Sequence, residues 1–432
     1  MNYQKYPFVA RPTPNKHPDF NRLRVELAGF ETEPWNSLLE IGCGQGSYLI
    51  SLAWFNPSKT FIGIDSDQAA IETASKTAKD LGLSNIKFKA VELEHFEVSK
   101  KFDVVLAYGV YSWIPTSSRE KLLEVTSDAL GATGFAIFNH NLYPGWKSRS
   151  ELAETLRKSC QTPNEAREKL SEIGESSVHG LKLAEEARNI ITEASDSFIF
   201  HELLNPDADC CSSSEFAKLT SAHDLETLDP VVDLGLKAIP PIQRINERSI
   251  RNVVLLKNKK PAKSPTSMLE AGWFTSKFVP AEESAEPSLF YSPVGEEIRF
   301  EKSVAAALSL LSNSWPASIP YSELAKVSDS KTIQSLLAGE AIEFFSAELP
   351  VSKELKKPFC CPLSTHQDVF PGVSVNCRFE FVKLNEPMLE FLKLCNGLNS
   401  LSEIRKLSGM SETECLDAIQ IFQEMALLIN SE

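Results

Sequence analysis

The sequence predicts an α/β fold: a Rossmann-like sheet with a helical insertion, followed by two small α+β domains of winged-helix-like pattern. Three observations lead to this class. Short apolar runs alternate with helical stretches over roughly the first 140 residues, which is typical of βαβ units whose parallel sheet is covered on both faces. A glycine-rich turn follows the first apolar run. From residue 148 the pattern becomes charged, helical and free of strands.

Six apolar runs have the length and composition of buried strands, and helical periodicity fills the gaps between several of them. Gly82 and Gly131 follow two of these helices, where a left-handed residue is expected to end the helix. The last run is expected to close an edge of the same sheet. The predicted strands are 37–41, 60–64, 86–91, 102–107, 134–139 and 250–256, and the predicted helices are 47–55, 68–81 and 118–130.

The chain is expected to divide into three units. The lysine- and proline-bearing stretch 257–265 has the composition of a linker, and 352–362 is similar. The last helix is predicted to open with a capping box formed by Ser411 and Glu414. The predicted domains are 1–262, 263–355 and 356–432, with the helical insertion at about 148–220.

Composition and charge exclude several classes of protein. With 44 Lys and Arg against 58 Asp and Glu, the net charge is −14, which disfavours broad binding to nucleic acid or anionic membranes. No apolar run approaches the roughly 20 residues of a membrane span, and the first residues lack the apolar core of a secretory signal. The vicinal pairs Cys210–Cys211 and Cys360–Cys361 fit a reducing compartment, so a cytoplasmic location is expected. The second pair, with His366 and Cys377, lacks the spacing of a zinc site, and no metal is expected.

The most informative segment is the turn after the first strand. Glu40 lies near the end of that strand, and Gly42, Gly44 and Gly46 follow with the spacing G-x-G-x-G. Glycines here let the backbone turn sharply and approach a ligand without interference from Cβ atoms. Asp65 ends the second strand 19 positions after Gly46, where a carboxylate can accept hydrogen bonds from both hydroxyls of a ribose.

This pattern favours S-adenosylmethionine over a dinucleotide. Dinucleotide sites use G-x-G-x-x-G with the pyrophosphate on a helix N-terminus, and the carboxylate of Glu40 would repel that group but suits an amino-acid ammonium. After the third strand, Glu92 and Leu93 are expected to meet the adenine, one at its amino group and the other beside its ring. The alternatives are a dinucleotide site, a purely structural turn and a solvated Glu92.

Two aromatic-rich segments, 108–115 and 139–146, follow the fourth and fifth strands. Ligands bind at the carboxyl ends of the strands in open α/β sheets, so these segments are candidates for pocket walls. Trp113 and Trp146 are expected to place π-faces near a sulfonium or ammonium charge. The alternative is that these aromatic side chains only pack against the sheet.

These motifs together resemble those of bacterial class I methyltransferases that carry a methyltransferase regulatory domain. That group includes rickettsial protein-lysine methyltransferases that act on outer-membrane protein B. Three departures concern the substrate more than the cofactor: a longer segment between the Tyr-Pro-Phe and His-Pro elements, Tyr108 where relatives often have histidine, and the Cys/Ser run at 210–214 in place of a more apolar stretch. The resemblance rests on the glycine turn, Asp65, GVYSWIP at 109–115, NLYPGW at 141–146, Tyr6-Pro7-Phe8, His17-Pro18, Phe200-His201-Glu202-Leu203 and Glu215-Phe216.

The resemblance implies methyl transfer from S-adenosylmethionine to a protein, with a lysine side chain as the expected acceptor, and it suggests a homodimer. Tyr143 and Asn141 are expected to orient the acceptor amine, with Tyr111 as a further candidate, and Tyr108 is expected in the cofactor site. The alternatives are a methyltransferase acting on a small molecule, natural product or peptide, and a non-catalytic scaffold that binds the cofactor.

A function on DNA is disfavoured. DNA amino-group methyltransferases place an acidic or Asn-Pro-Pro-aromatic motif after the fourth strand, whereas this chain has AYGV at 107–110. The candidate recognition helix at 412–425 carries four acidic and no basic residues, so phosphates would repel it. Both C-terminal units are therefore expected to bind protein or form a dimer. The basic stretch at 237–263 is expected to be solvated, with a groove for an acidic protein segment as the alternative.

Overall fold

The structure is a computed structural model that describes residues 5–6, 14–175, 181–228, 250–257, 259–262, 266–281, 288–352, 356–368 and 370–430. Its main feature is a seven-stranded mixed sheet with helices on both faces, followed by two units with small sheets of their own. The predicted α/β, Rossmann-like class is therefore confirmed. Most of the basic stretch at 237–263 lies outside the described residues, as do Pro7 and Phe8.

The main sheet contains β1 (Ser37–Ile41), β2 (Thr60–Asp65), β3 (Ile86–Ala90), β4 (Phe102–Ala107), β5 (Leu130–Asn141), β6 (Glu226–Leu228) and β7 (Ile250–Leu256). Their spatial order is β3-β2-β1-β4-β5-β7-β6. The first five strands run parallel, while β7 pairs antiparallel with both β5 and β6. Because the strand order reverses between β1 and β4, their carboxyl ends border a crevice, the usual ligand position in an open α/β sheet.

Two expectations about this sheet are wrong. The strand Ile250–Leu256 does not close the edge, because β6 pairs with its outer side. With three residues, β6 is too short for a periodic pattern to predict it. Gly131 does not end a helix in the left-handed conformation, because the helix Thr116–Ala129 leads directly into β5, which contains Gly131. Gly82 does take that conformation, with a φ of 69°.

Helices cover both faces of the sheet. In the first half of the chain they are α1 (Pro18–Leu27), α2 (Ser47–Phe55), α3 (Gln68–Asp80), α4 (Thr116–Ala129), α5 (Lys147–Arg157), α6 (Pro163–Glu175), α7 (Leu181–Glu193), α8 (Asp196–Phe198) and α9 (Ser213–Ser221). Leu38 of β1 packs on one face with Leu49 of α2. Its neighbour Leu39 faces the other side, with Leu122 of α4 and Phe216 of α9, as the alternation of side chains along a strand requires.

Helices α5 to α9 correspond to the predicted insertion. Helices α5 to α8 share a core of their own, in which Leu152, Leu170 and Ile190 are buried, whereas α9 packs on the main sheet. Between α8 and α9 the chain forms a π-helical turn, Ile199–Leu204. Such turns are rare and frequently occur at functional sites. This one contains the predicted Phe-His-Glu-Leu motif and faces the carboxyl ends of the strands, as described below.

The rest of the chain forms a middle and a C-terminal unit. The middle unit contains α10 (Ser267–Glu270), β8 (Trp273–Thr275), β9 (Val279–Pro280), β10 (Leu289–Tyr291), β11 (Glu297–Arg299), α11 (Lys302–Ser314), β12 (Ile319–Pro320), α12 (Tyr321–Leu324), α13 (Ser330–Ala338) and β13 (Glu343–Phe345). The C-terminal unit contains β14 (Ser374–Val375), β15 (Phe381–Val382), α14 (Glu386–Leu394), α15 (Leu401–Ser408) and α16 (Glu412–Glu424). The predicted capping box of α16 is confirmed, since Ser411 and Glu414 cap each other's backbone N–H groups.

The C-terminal unit packs directly against the main sheet. Leu349 and Phe379 belong to the same apolar core as Leu38. The ring of Phe379 lies 5.4 Å from that of Phe55 in α2, the helix that follows the glycine turn. Helix α1 contributes Leu23 to the core of the middle unit. Because these cores cross the predicted domain boundaries at 262 and 355, the units are held together by buried apolar surface, and the boundaries themselves stay a prediction.

Candidate active site

A cavity of about 690 Å³ opens at the carboxyl ends of β1 to β4. Its walls come from the glycine turn, the ends of β2 and β3, the segment after β4 and the π-helical turn. The structure thus brings together more than half of the residues predicted for the site. Those that line the cavity are Gly42, Gly44, Asp65, Glu92, Leu93, Tyr108 and Trp113.

The glycine turn has the backbone conformation that its sequence predicts. Gly42, Gly44 and Gly46 have φ values of 72°, 53° and 73°, in the left-handed region that favours glycine. The backbone N–H of Gly42 donates to the carbonyl of Ile64 at 2.8 Å, which ties the turn to β2. A Cβ atom on Gly42 would lie 2.5 Å from a methyl group of Val110. A side chain at Gly42 would therefore clash with Val110, so this position requires glycine.

Replacing Gly46 by alanine is expected to lower the free energy of unfolding by about 2–4 kcal/mol. The new Cβ would lie 2.6 Å from the Phe88 ring, and the positive φ adds backbone strain. Gly82→Ala is the matched control, because Gly82 has a similar φ of 69° but nothing within 4 Å of its Cβ position. Urea denaturation of both variants separates the effect of the contact with Phe88 from that of the backbone strain. Equal losses of free energy of unfolding in the two variants would contradict the predicted clash.

Asp65 holds the turn from the neighbouring strand. Its Oδ2 accepts a hydrogen bond from the backbone N–H of Gly44 at 2.8 Å, and its Oδ1 accepts one from that of Asp67 at 3.0 Å. Burial raises the pKa of the Asp65 carboxyl above its usual value, and these backbone N–H groups oppose that shift. Each oxygen retains a lone pair for a ligand, so the predicted contact with ribose hydroxyls is compatible with the geometry.

Two predicted cofactor residues lie behind the cavity wall. Glu40 is buried, and its Oε2 has no hydrogen-bond partner in the described part of the chain. Gly46 is the N-cap of α2 and packs against Phe88 rather than lining the cavity. A direct contact of either residue with the cofactor stays a prediction.

Four further predicted residues are absent from the cavity wall as the structure describes it. Tyr111 is buried, with its ring edge-on to Phe216 at 4.9 Å. Asn141 is also buried, and its side-chain amide donates to the backbone carbonyl of residue 209 at 3.2 Å. Trp146 is buried beneath Arg149, whereas Tyr143 is 48% exposed. The roles predicted for these residues in holding the acceptor stay predictions.

The wall opposite the glycine turn is built around Trp113. Its indole N–H donates to Oε2 of Glu202 at 2.8 Å, and its backbone carbonyl accepts from the side-chain amide of Asn205 at 3.0 Å. Burial raises the pKa of Glu202 to about 7, and the hydrogen bond from Trp113 opposes this shift. The π-helical turn and the residue after it therefore hold Trp113 by its indole N–H and by its backbone carbonyl, which makes Trp113 a fixed surface of the cavity.

Several cavity residues were not predicted for the site, and three of them come from one segment of the chain. His201, Asn205 and Asp207 lie in or just after the π-helical turn and line the cavity. His201 also contacts the N-terminal segment, where its Nε2 donates to the carbonyl of Tyr6 at 2.6 Å. The Phe-His-Glu-Leu motif was the signal in the sequence that pointed to this region.

The cavity has a strongly acidic lining. Its described wall contains five carboxylates and no lysine or arginine: Asp65, Asp67, Glu92, Glu94 and Asp207. A cleft lined by one sign of charge attracts ligands of the opposite sign. The site is therefore suited to a cationic ligand and unsuited to a pyrophosphate.

Comparison with known proteins identifies a domain within this chain. Residues 35–195 match the family model described as a methyltransferase domain. The chain contains a class I methyltransferase domain. The structure of PKMT2 from Rickettsia typhi matches 98% of this chain and 100% of its own, with a TM-score of 0.77 at 18% identity. The structure of PKMT2 in complex with AdoHcy matches with a TM-score of 0.78. The methyltransferase domain and both smaller units thus share their fold with that protein.

Two curated relatives of the methyltransferase domain come from Rickettsia prowazekii. "Uncharacterized protein RP028" is 29% identical over 219 residues, which are 47% of this chain and 87% of that protein. "Uncharacterized protein RP789" is 25% identical over 240 residues, 52% of this chain and 43% of that protein. The second match therefore covers less than half of the relative.

S-adenosylmethionine is the cofactor of the methyltransferase domain, which confirms the prediction from the glycine turn. The residues present fit it: the turn leaves space for a ligand, Asp65 lies on the wall, and the described lining holds no lysine or arginine to repel a sulfonium. When bound, this cofactor supplies a methyl group already activated on sulfur. Within the described ranges there is no group of three His, Cys, Asp or Glu side chains that could hold a metal ion, and no helix long and apolar enough to cross a membrane.

Proposed function

We propose that the protein transfers methyl groups from S-adenosylmethionine to lysine side chains of a protein substrate. The observation that carries this proposal is the acceptor end of the cavity. There Asp207 and Trp113 both line the cavity, Asn205 hydrogen-bonds to the backbone of both residues, and the described lining contains no lysine or arginine. An ammonium group is attracted both by a carboxylate and by the face of an indole ring.

The chain's own residues would act mainly by positioning. Trp113 and Ile114 offer apolar surface for the methylene stem of a lysine, and Asp207 offers a charge for its head group. Holding donor and acceptor in line can supply about 7–11 kcal/mol of the barrier. The carboxylates on the wall favour capture of the protonated amine. The amine must then release its proton to solvent before its lone pair can attack. Tyr143, 48% exposed, is the predicted residue best placed to meet an incoming protein.

The size of the chain supports a macromolecular acceptor. Two further units follow the methyltransferase domain, and the C-terminal unit shares its core with the sheet. The likeness to PKMT2 extends over both units. The motifs GVYSWIP and NLYPGW resemble those of rickettsial protein-lysine methyltransferases, which is why lysine is the proposed acceptor. The homodimer and the cytoplasmic location stay predictions.

The test is to incubate the purified protein with methyl-tritiated S-adenosylmethionine and a cell lysate, and then to separate macromolecules from small metabolites. We expect label in a protease-sensitive fraction, with mass spectrometry locating it on lysine. Asp207→Asn, which removes one charge from the acceptor wall, is expected to reduce this labelling several-fold while leaving AdoHcy binding unchanged.

Label confined to small molecules would contradict the proposal and favour the alternative of a metabolite or natural-product enzyme. The absence of label from both fractions, with AdoHcy binding intact, would favour a scaffold that binds the cofactor without transferring its methyl group.

A further inference from the structure

Three polar side chains lie together behind the glycine turn without the partners that buried polar groups normally have. Lys16, Glu40 and Tyr48 are 3%, 5% and 1% exposed. Neither Oε2 of Glu40 nor the hydroxyl of Tyr48 has a hydrogen-bond partner among the described residues. Most buried polar atoms in proteins are paired, so a group of unpaired polar atoms indicates a partner other than the described residues.

Lys16 is held in this cluster by aromatic rings. Its Nζ lies 4.7 Å from the ring centroids of both Tyr48 and Tyr108, and within the described residues it makes no ion pair or hydrogen bond. Electrostatic attraction couples it to Glu40, although the two groups are too far apart for an ion pair. Its three N–H donors are therefore not used by the part of the chain that the structure describes.

The cluster borders one end of the cavity, behind two residues that line it. Tyr108 and Gly42 line that end, Glu40 precedes Gly42 by two residues, and Tyr48 lies in the first turn of α2. With the adenine expected at Glu92 and the ribose at Asp65, the part of the cofactor that remains for this end is the amino acid.

An amino acid carries a carboxylate and an ammonium. The cluster contains a group of opposite charge for each of them, Lys16 for the carboxylate and Glu40 for the ammonium. Burial lowers the pKa of Lys16 to about 8 and raises that of Glu40 to about 8, while each group partly stabilises the charge of the other. A zwitterion placed between them would provide both with a direct counter-charge.

We propose that Lys16 binds the carboxylate at the amino-acid end of the cofactor, opposite Glu40, which faces its ammonium. This inference rests on S-adenosylmethionine as the cofactor and is independent of the acceptor. Lys16 lies outside the residues 35–195 that match the methyltransferase family model. The segment before the domain therefore completes its cofactor site.

Calorimetric titration with two ligands tests the assignment on the full chain. AdoHcy has the carboxylate, and 5′-methylthioadenosine has the same nucleoside without the amino acid. Lys16→Met is expected to weaken AdoHcy binding about tenfold or more, as loss of a charge-assisted hydrogen bond implies, and to change that of 5′-methylthioadenosine less than twofold. Retained binding of 5′-methylthioadenosine also shows that the variant is folded.

Lys59→Met is the matched control. The Nζ of Lys59 lies over the Trp35 ring at 3.4 Å, and Lys59 directly precedes β2, at the end of that strand opposite to the cavity, so neither affinity should change. Equal weakening of both ligands by Lys16→Met would assign Lys16 a structural role and overturn the proposal, as would unchanged AdoHcy binding.

A ligand-side measurement needs no variant. AdoHcy lacking only its carboxylate should bind the unaltered protein about tenfold more weakly than AdoHcy, and Lys16→Met should abolish this difference, as in a double-mutant cycle. Equal affinities of the two ligands for the unaltered protein would refute the assignment. None of these binding measurements involves a methyl acceptor. A negative result would therefore refute the role of Lys16 and leave the proposed lysine methylation to the labelling experiment.

Discussion

Asp65→Ala is expected to weaken AdoHcy binding about 100-fold. The carboxylate lies on the cavity wall at the end of β2, where it can accept hydrogen bonds from both ribose hydroxyls, and it also fixes the backbone N–H of Gly44 at 2.8 Å. Hydrogen bonds to a charged group contribute about 1.5–3 kcal/mol each, and the loss of two of them at the lower end of this range corresponds to about 100-fold. Calorimetric titration gives the dissociation constant directly.

Asp67→Ala is the control for this prediction. Asp67 is also a carboxylate of the cavity wall, but its Oδ1 caps α3 by accepting from the backbone N–H groups of Ala69 and Ala70 at 2.9 and 3.2 Å. Its loss should cost about 1 kcal/mol of stability as a lost helix cap, and should change AdoHcy affinity less than about threefold. Similar affinity losses in both variants would show that Asp65 contributes only to the negative charge of the cavity and does not contact the ribose.

The largest expected effect on stability is that of Arg378→Met, which should lower the free energy of unfolding by about 3–5 kcal/mol. Arg378 is fully buried between the middle and C-terminal units. Its Nη1 donates to the hydroxyl of Thr275 at 3.1 Å, it pairs with Glu343 and Glu380, and its guanidinium lies 4.0 Å from the Trp315 ring centroid. Removing it leaves two acidic side chains facing Lys277 alone.

Arg405→Met provides the comparison. Arg405 belongs to the same C-terminal unit and pairs with Glu412 at 2.9 Å, but both side chains are more than half exposed. An exposed ion pair contributes less than about 1 kcal/mol, so this variant should unfold almost as the unaltered protein does. Urea denaturation followed by tryptophan fluorescence compares the two, since Trp315 lies against Arg378. A small effect of Arg378→Met would mean that water and neighbouring groups compensate for the lost charge.

The position of Arg378 also links the smaller units to the cofactor site. The next residue, Phe379, contacts both Tyr48 and Phe55 of α2, with ring centroids 6.4 and 5.4 Å apart. Helix α2 starts at the glycine turn, and Tyr48 belongs to the cluster proposed to hold the amino-acid end of the cofactor. The C-terminal unit thus supports this end of the site by direct packing.

The local structure was predictable because it depends on neighbours in the sequence. The bounds of β1, β4 and α2 are those expected from apolar runs and helical periodicity, and the capping box of α16 follows from a Ser and a Glu three positions apart. Gly42 and Asp65 could be placed in the site because each directly follows or ends a strand of a parallel sheet.

The acceptor side was less predictable because its residues are distant in the sequence. Trp113 is 89 positions from Glu202 and 92 from Asn205, yet these residues hydrogen-bond to it. The sequence pattern also did not determine whether a side chain that follows a strand points into the cavity or into the core. Tyr111 and Asn141 follow strands as a ligand-binding residue would, but packing against Phe216 and the segment around residue 209 buries both.

By itself, the sequence determined the α/β class, the glycine turn and the choice of S-adenosylmethionine, since these depend on strand-turn-helix patterns and on the kind of charge that follows them. Tertiary structure alone decided which carboxylates line the cavity, that Lys16 and Tyr48 join Glu40, and that the C-terminal unit packs on α2. The physical reason is that burial and side-chain direction result from packing between elements far apart in the chain, and the periodicity of a single element does not encode that packing.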